Sequence, residues 1–303
     1  MLAAAAIAVA AALAGAPAAT AAPRCFGAAA MDRLHRCSNP TRSGVPRPGD
    51  VGRERRVACR PTRRNEEICT FGTRAARARR TIALVGDSHA LQWRPALDVV
   101  ARSKRWRAFS VTTAGCFFSA ATASLPVGLR EPCSEWYRST LAWLRRHPEI
   151  STVFVSQRTA TPVAPSGGRS ELEVKIAGFR RAWRSLPRTV RRVIVIRDTP
   201  VTTEAALDCV RQTLPAGGEL PGVACRVPRA PAMSRDPAVL AVRRYAAGRY
   251  RHVDLTSYFC SRRNCFPVIG GVLVHRDVDH ITRTYSRTLG PYLTRKVSRH
   301  LPG

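Results

Sequence analysis

Apolar residues along this chain alternate between short unbroken runs and helical spacing. Residues 81–85 (Thr81-Ile82-Ala83-Leu84-Val85) form a run bounded by charge on one side and glycine on the other, the pattern of a strand buried on both faces. Further strand candidates are 108–112, 152–156, 192–197 and 251–255. Between them, residues 90–101 space Leu91, Pro95-Ala96-Leu97 and Val100 like a helix, and helical spacing returns at 140–146, 171–186, 237–249 and 282–300. Strands alternating with helices predict βαβ units, and therefore an α/β/α sandwich in which helices cover both faces of a parallel sheet. The Pro- and Gly-rich stretches 161–168 and 214–232 read as surface insertions, and there are no internal repeats.

The first part of the chain lacks this alternation. Residues 2–14 are almost purely Ala, Leu, Ile and Val, Pro17 breaks the run, and residues 18–22 are small. This is the pattern of a secretion signal over residues 1–22, although no Lys or Arg precedes it. The alternative is an uncleaved anchor, for which the run is short against the ~20 apolar residues of a membrane span. Residues 23–78 are rich in Arg, Pro, Gly and Cys with little periodicity, so they read as an irregular extension, stapled by cystines, around a catalytic domain at 79–303.

The ten cysteines fall into five local couples: Cys25–Cys37, Cys59–Cys69, Cys116–Cys133, Cys209–Cys225 and Cys260–Cys265. In an exported chain these are expected to be disulfides, and without any CxxC pair no metal is expected. The formal charge of +30 raises the question of nucleic acid. However, the basic residues are arginines apart from Lys104, Lys175 and Lys296, and they are scattered. The expectation is a solvated basic surface outside the cytoplasm, with no nucleic-acid partner and a possible attraction to anionic envelope glycans.

Two short segments carry the candidate chemistry. Gly86-Asp87-Ser88-His89 lies between the first predicted strand and a helix, which would put Ser88 at the carboxyl edge of the sheet, where open α/β folds bind their ligands. The same pattern also serves as a helix cap, and a serine hydroxyl is a weak nucleophile without a base. Near the other end, Arg276-Asp277-Val278-Asp279-His280-Ile281-Thr282 places an Asp three residues before a His, ahead of a helix. One turn can then present both side chains to a cleft, with Asp277 orienting His280; Asp279 is the competing carboxylate, and capping the alternative role.

Taken together, these segments resemble the first and last blocks of the SGNH (GDSL-type) hydrolase superfamily. The likeness extends in order through Gln92-Trp93, Ala114-Gly115-Cys116, Asp198-Thr199-Pro200, Val253-Asp254-Leu255, Cys260 with Cys265, and Gly270-Gly271. In this the chain is most similar to the C-terminal SGNH domain of acyltransferase family 3 membrane proteins, from about Cys59 to Leu301. The resemblance implies a flavodoxin-like fold, and a triad of Ser88 as nucleophile, His280 as base and Asp277 as orienter. It also implies an oxyanion hole from the amides of Ser88 and Gly115, with no cofactor. Where the superfamily has an asparagine after its third strand, this chain has Ser156-Gln157-Arg158, so Gln157 or Arg158 is the candidate substitute, and His89 is a candidate pocket residue.

The function expected is that of a secreted serine esterase or O-acyltransferase acting on acylated envelope polysaccharide or a peptidoglycan-type substrate. A separately encoded membrane acyltransferase is the expected partner. The alternative is an inactive module of the same fold that binds acidic glycans.

Overall fold

The computed structural model describes residues 25–34, 43–58, 60–62, 65–216, 219–245 and 248–301; the expected signal segment lies outside them. Seven strands form the main sheet: β1 (Arg60–Thr62), β2 (Asn65–Gly72), β3 (Arg80–Gly86), β4 (Trp106–Thr112), β5 (Ile150–Ser156), β6 (Arg192–Ile196) and β7 (Tyr250–Val253). Their order is β1-β2-β4-β3-β5-β6-β7. The five strands from β4 to β7 are parallel, in the flavodoxin-like order, with the chain crossing from one side of β3 to the other after β4.

Each of the five predicted strands is one of these parallel strands; β3 to β6 are largely buried on both faces, whereas Tyr250, Arg251 and His252 of β7 are only partly buried. In β3, Ile82 and Leu84 enter one core and Ala83 and Val85 the other. The first core lies under α1 (Ser88–Leu91), α2 (Arg94–Ser103), α7 (Arg283–Thr288) and α8 (Gly290–Ser298). The second lies under α3 (Val127–Arg145), α4 (Glu171–Arg184) and α6 (Pro237–Arg244), while α5 (Glu204–Thr213) follows β6. These layers make the expected α/β/α sandwich. Among the described residues no helix is long and apolar enough to cross a membrane.

Differences from the sequence reading have local causes. The predicted helix 90–101 is two helices, because Pro95 has no amide to carry a helical bond back to Leu91 and so begins a new helix. The predicted helix 282–300 restarts at Leu289 for the same reason, with Pro291 in the first turn of α8. The helix expected at 140–146 begins instead at Val127; Gly128 and Pro132 mask its first turns, while Trp136, Leu141 and Leu144 hold it on the sheet.

The extension read as irregular supplies β1 and β2. This antiparallel ribbon continues the sheet beyond β4, with Ile68 opposite Val111 and Gly72 opposite Arg107. Earlier parts of the extension wrap the domain: Gly27 N donates to Gly270 O (3.0 Å) and Val45 N to Gly271 O (2.9 Å).

Three of the expected disulfides are present: Cys116–Cys133, Cys209–Cys225 and Cys260–Cys265. Cys25 and Cys69 are also disulfide-bonded. Their expected partners, Cys37 and Cys59, lie outside the described residues.

Candidate active site

The site starts from the turn that leaves β3. Gly86 has φ +147°, and a Cβ there would meet the Ser156 carbonyl oxygen of β5 at 2.0 Å, so only glycine lets the two strand ends approach this closely. Asp87 caps α1. Its buried carboxylate accepts from His89 N (2.8 Å) and from Arg158 N (2.9 Å), tying the turn to the loop after β5. Burial raises its pKa. Ser88 follows as the first residue of α1.

His280 arrives from the far end of the chain, on the loop before α7. Its Nε2 lies 2.8 Å from Ser88 Oγ, and its Nδ1 lies 2.9 Å and 3.1 Å from the two Asp277 oxygens. Asp277 also accepts from the backbone amides of Asp279 (3.2 Å) and His280 (2.7 Å), which fixes the turn. Partial burial pushes Asp277 upward, but its hydrogen bonds with the His280 side chain and backbone prevail and hold it well below the usual carboxylate range.

The two carboxylates that competed in the sequence both reach the imidazole, since Asp279 Oδ1 is 3.0 Å from the same Nδ1. Only Asp277 is aligned for a hydrogen bond. The other Asp279 oxygen pairs with Arg158 Nε at 2.8 Å and faces His89 Nε2 at 3.8 Å. Its interactions with His89, and then with His280 and Arg158, lower its pKa against partial burial.

His89 is fully buried, with Nδ1 2.6 Å from Asp198 Oδ1 and its ring 4.8 Å from that of His280. Asp198 is held in turn by the amides of Thr159 (2.8 Å) and Thr199 (2.9 Å). Burial alone would pull the His89 pKa down. The carboxylates of Asp198, Asp279 and Asp87 outweigh it and push the pKa up to about 10. Because this value lies above the ~6.5 of an unfolded histidine, the stability it contributes is complete below pH 6.5 and is lost as pH rises through about 10. Urea titrations from pH 6.5 to 10 should therefore show the wild type losing more stability than His89→Gln, by on the order of a few kcal/mol. Equal slopes would contradict a buried imidazolium.

Gly115 lies in the exposed loop after β4 with φ +78°, and Cys116 beside it is tied to α3. Among the described residues neither the Gly115 nor the Ser88 amide donates a hydrogen bond within the protein, so both remain available to an anionic oxygen. Gln157 is buried with its Oε1 unpartnered. Arg158, beyond its pair with Asp279, is half exposed. Trp93 and Phe117 belong one to each of the two cores.

His89, Asp279 and His280 bring ligand-type atoms within 4.8 Å of one another. These residues already face Asp198, Arg158, Asp277 and Ser88, so the cluster is a network of ion pairs and hydrogen bonds. Asp279 was already the competing carboxylate in the sequence, whereas the roles of Asp198 and Gln92 were not legible there. Gln92 Oε1 accepts from Ile281 N (2.8 Å) and its Nε2 donates to Thr199 (3.2 Å), clamping the His280 loop to α1 and to the loop after β6. The only sequence signal for these residues was their place in the motifs Gln92-Trp93 and Asp198-Thr199-Pro200.

An α/β/α sandwich with a serine, a histidine and carboxylates gathered at the carboxyl edge of its parallel strands is an architecture of hydrolases and acyltransferases. The chain belongs to the SGNH domain family in the form described as fused to AT3 domains, whose model matches residues 58–295. Among solved structures, the periplasmic domain of a lipopolysaccharide acetyltransferase from Salmonella ser. Paratyphi A shares the fold. It has a TM-score of 0.56 and 10% sequence identity over 75% of this chain and 90% of that one. Comparison with curated proteins finds no match.

Proposed function

We propose that the protein is an extracytoplasmic enzyme that moves acyl groups on cell-envelope glycans through an acyl-Ser88 intermediate. The observation that carries this reading is the line from Ser88 Oγ through both nitrogens of His280 to Asp277. In the first half-reaction Ser88 Oγ attacks the ester carbonyl while His280 Nε2 takes its proton. The carbonyl oxygen becomes an anion facing the Ser88 and Gly115 amides. As the tetrahedral intermediate collapses, His280 gives the proton to the departing alkoxide, which leaves as an alcohol. In the second half, water or a sugar hydroxyl loses its proton to His280 and attacks the acyl-serine, returning Ser88. Asp277 keeps the Nδ1–H tautomer in place throughout.

The family's fusion to AT3 domains supports a membrane acyltransferase as the acyl supplier, and the acetyltransferase neighbour supports an envelope glycan as substrate. The disulfides favour an oxidising compartment. The complete set of Ser88, His280 and Asp277 favours an enzyme over an inactive glycan-binding module. The test is turnover of p-nitrophenyl acetate and its loss to a fluorophosphonate, with peptide mass spectrometry locating the adduct. Label on Ser88 is expected; inert protein, or label only elsewhere, would refute the mechanism.

A further inference from the structure

The sheet order gives Ser88 two different flanks. Strand β4, whose loop carries Gly115, lies on one side of β3, and β5 and β6 lie on the other. On this second flank a cavity of about 240 Å³ opens between the loops that follow β5 and β6. Its wall toward the triad is formed by His89, Val278 and Asp279, the last two from the loop that carries His280.

The charges in this wall are already matched. Arg158 pairs with Asp279 (2.8 Å), His89 with Asp198 (2.6 Å), and Arg197 with Asp254 (3.5 Å). Asp236 is spent on the amides of Asp198, Ala238 and Val239. What remains for a ligand is neutral hydrogen bonding beside an apolar strip. Thr159, Thr199, Thr202 and Ser234 bring hydroxyls, and Val201 and Met233 bring hydrocarbon. One buried polar atom in this lining, Thr202 Oγ1, has no hydrogen-bond partner.

The chemistry sets the direction. The base hands its proton to the departing alcohol, so the alcohol half of an ester must sit on the His280 side while its carbonyl oxygen turns toward Gly115. We propose that this cavity seats one uncharged pyranose ring of the acyl-bearing or acyl-accepting glycan. The inference rests on the Ser88 reading above and names the substrate class of that site. Ring hydroxyls meet the threonines, and the C–H face of the ring lies on Val201 and Met233. The volume falls below the roughly 300–1,000 Å³ of pockets for drug-sized ligands, which suits a single ring. The matched charges select against a uronic acid, so the arginine-rich surface is not what recognises the ring.

Two variants of the full chain test this. Thr202→Val removes one hydroxyl at nearly constant shape, and Ala160→Trp puts an indole at the cavity lining. The first readout is the ratio of kcat/KM on a mono-O-acetylated methyl hexoside to that on p-nitrophenyl acetate, which has no sugar. The ratio is expected to fall about fivefold in Thr202→Val, the worth of one net hydrogen bond, with the change in KM. In Ala160→Trp it is expected to fall at least tenfold. The second readout is saturation-transfer NMR with the unacylated methyl hexoside, whose signal is expected to disappear in Ala160→Trp. Ratios unchanged in both variants, a signal that survives Ala160→Trp, or a wild-type preference for the acetylated hexuronate would each overturn the proposal. Hexoside binding that Ala160→Trp abolishes, in a protein that cleaves neither ester, would sink the Ser88 mechanism and leave the cavity assignment standing.

Discussion

Replacing Ser88 with alanine is expected to lower p-nitrophenyl acetate turnover by on the order of 10⁴- to 10⁶-fold, and adding His280→Ala should cost little more. The reason is geometric. With Ser88 Oγ and His280 Nε2 only 2.8 Å apart, each is useful only through the other, so the two losses do not add. Ser88 is half-buried at the start of α1, and its backbone is set by Gly86 and the doubly bonded Asp87, so Ser88→Ala should keep wild-type circular dichroism and melting temperature. The measurement is turnover of the two single variants and the double variant at one pH. A double variant worse than Ser88→Ala by the full cost of His280→Ala would mean that the two side chains act separately.

The second large effect belongs to the carboxylates. One orienting aspartate is commonly worth about 10⁴-fold in a serine hydrolase. Here Asp277 is aligned on His280 Nδ1, but Asp279 Oδ1 waits 3.0 Å from the same atom and is itself steadied by Arg158. Asp277→Asn should therefore cost less than a lone orienter would, about 10²- to 10³-fold, and Asp279→Asn about tenfold. The double variant should lose the full ~10⁴ or more, because no carboxylate then holds the tautomer. If Asp277→Asn were already as slow as the double variant, Asp279 would have no part in orienting the base.

Much of this was legible in the sequence, for a definite reason. Burial on both faces leaves apolar runs, so β3 to β6 could be read one by one, and the alternation of strands with helices implied a parallel sandwich. Ser88 was legible because a glycine-led turn after a buried strand has one location, the carboxyl edge of the sheet. Asp277 and His280 were legible because a spacing of three within one turn is a local property.

Other features were settled only by tertiary structure. The ribbon β1–β2 carries little apolar periodicity, and it is a strand pair because the edge of β4 offers unpaired backbone groups, as its register with Ile68 to Gly72 shows. The strand order, which puts Gly115 on one flank of Ser88 and the hydroxyl-lined cavity on the other, follows from crossover connections that no run of residues encodes by itself. The same holds for the charges. Nothing near His89 announces Asp198, which is 109 residues away, and nothing near Asp279 announces Arg158. Hydrophobic periodicity reports which face of an element is buried, so the sequence by itself determined the layers and offered the serine, histidine and aspartate that the fold brings together. Pairing between buried polar groups depends on which loops meet at the sheet edge, and so the tertiary structure alone decided that His89 pairs with Asp198 and that two carboxylates reach His280.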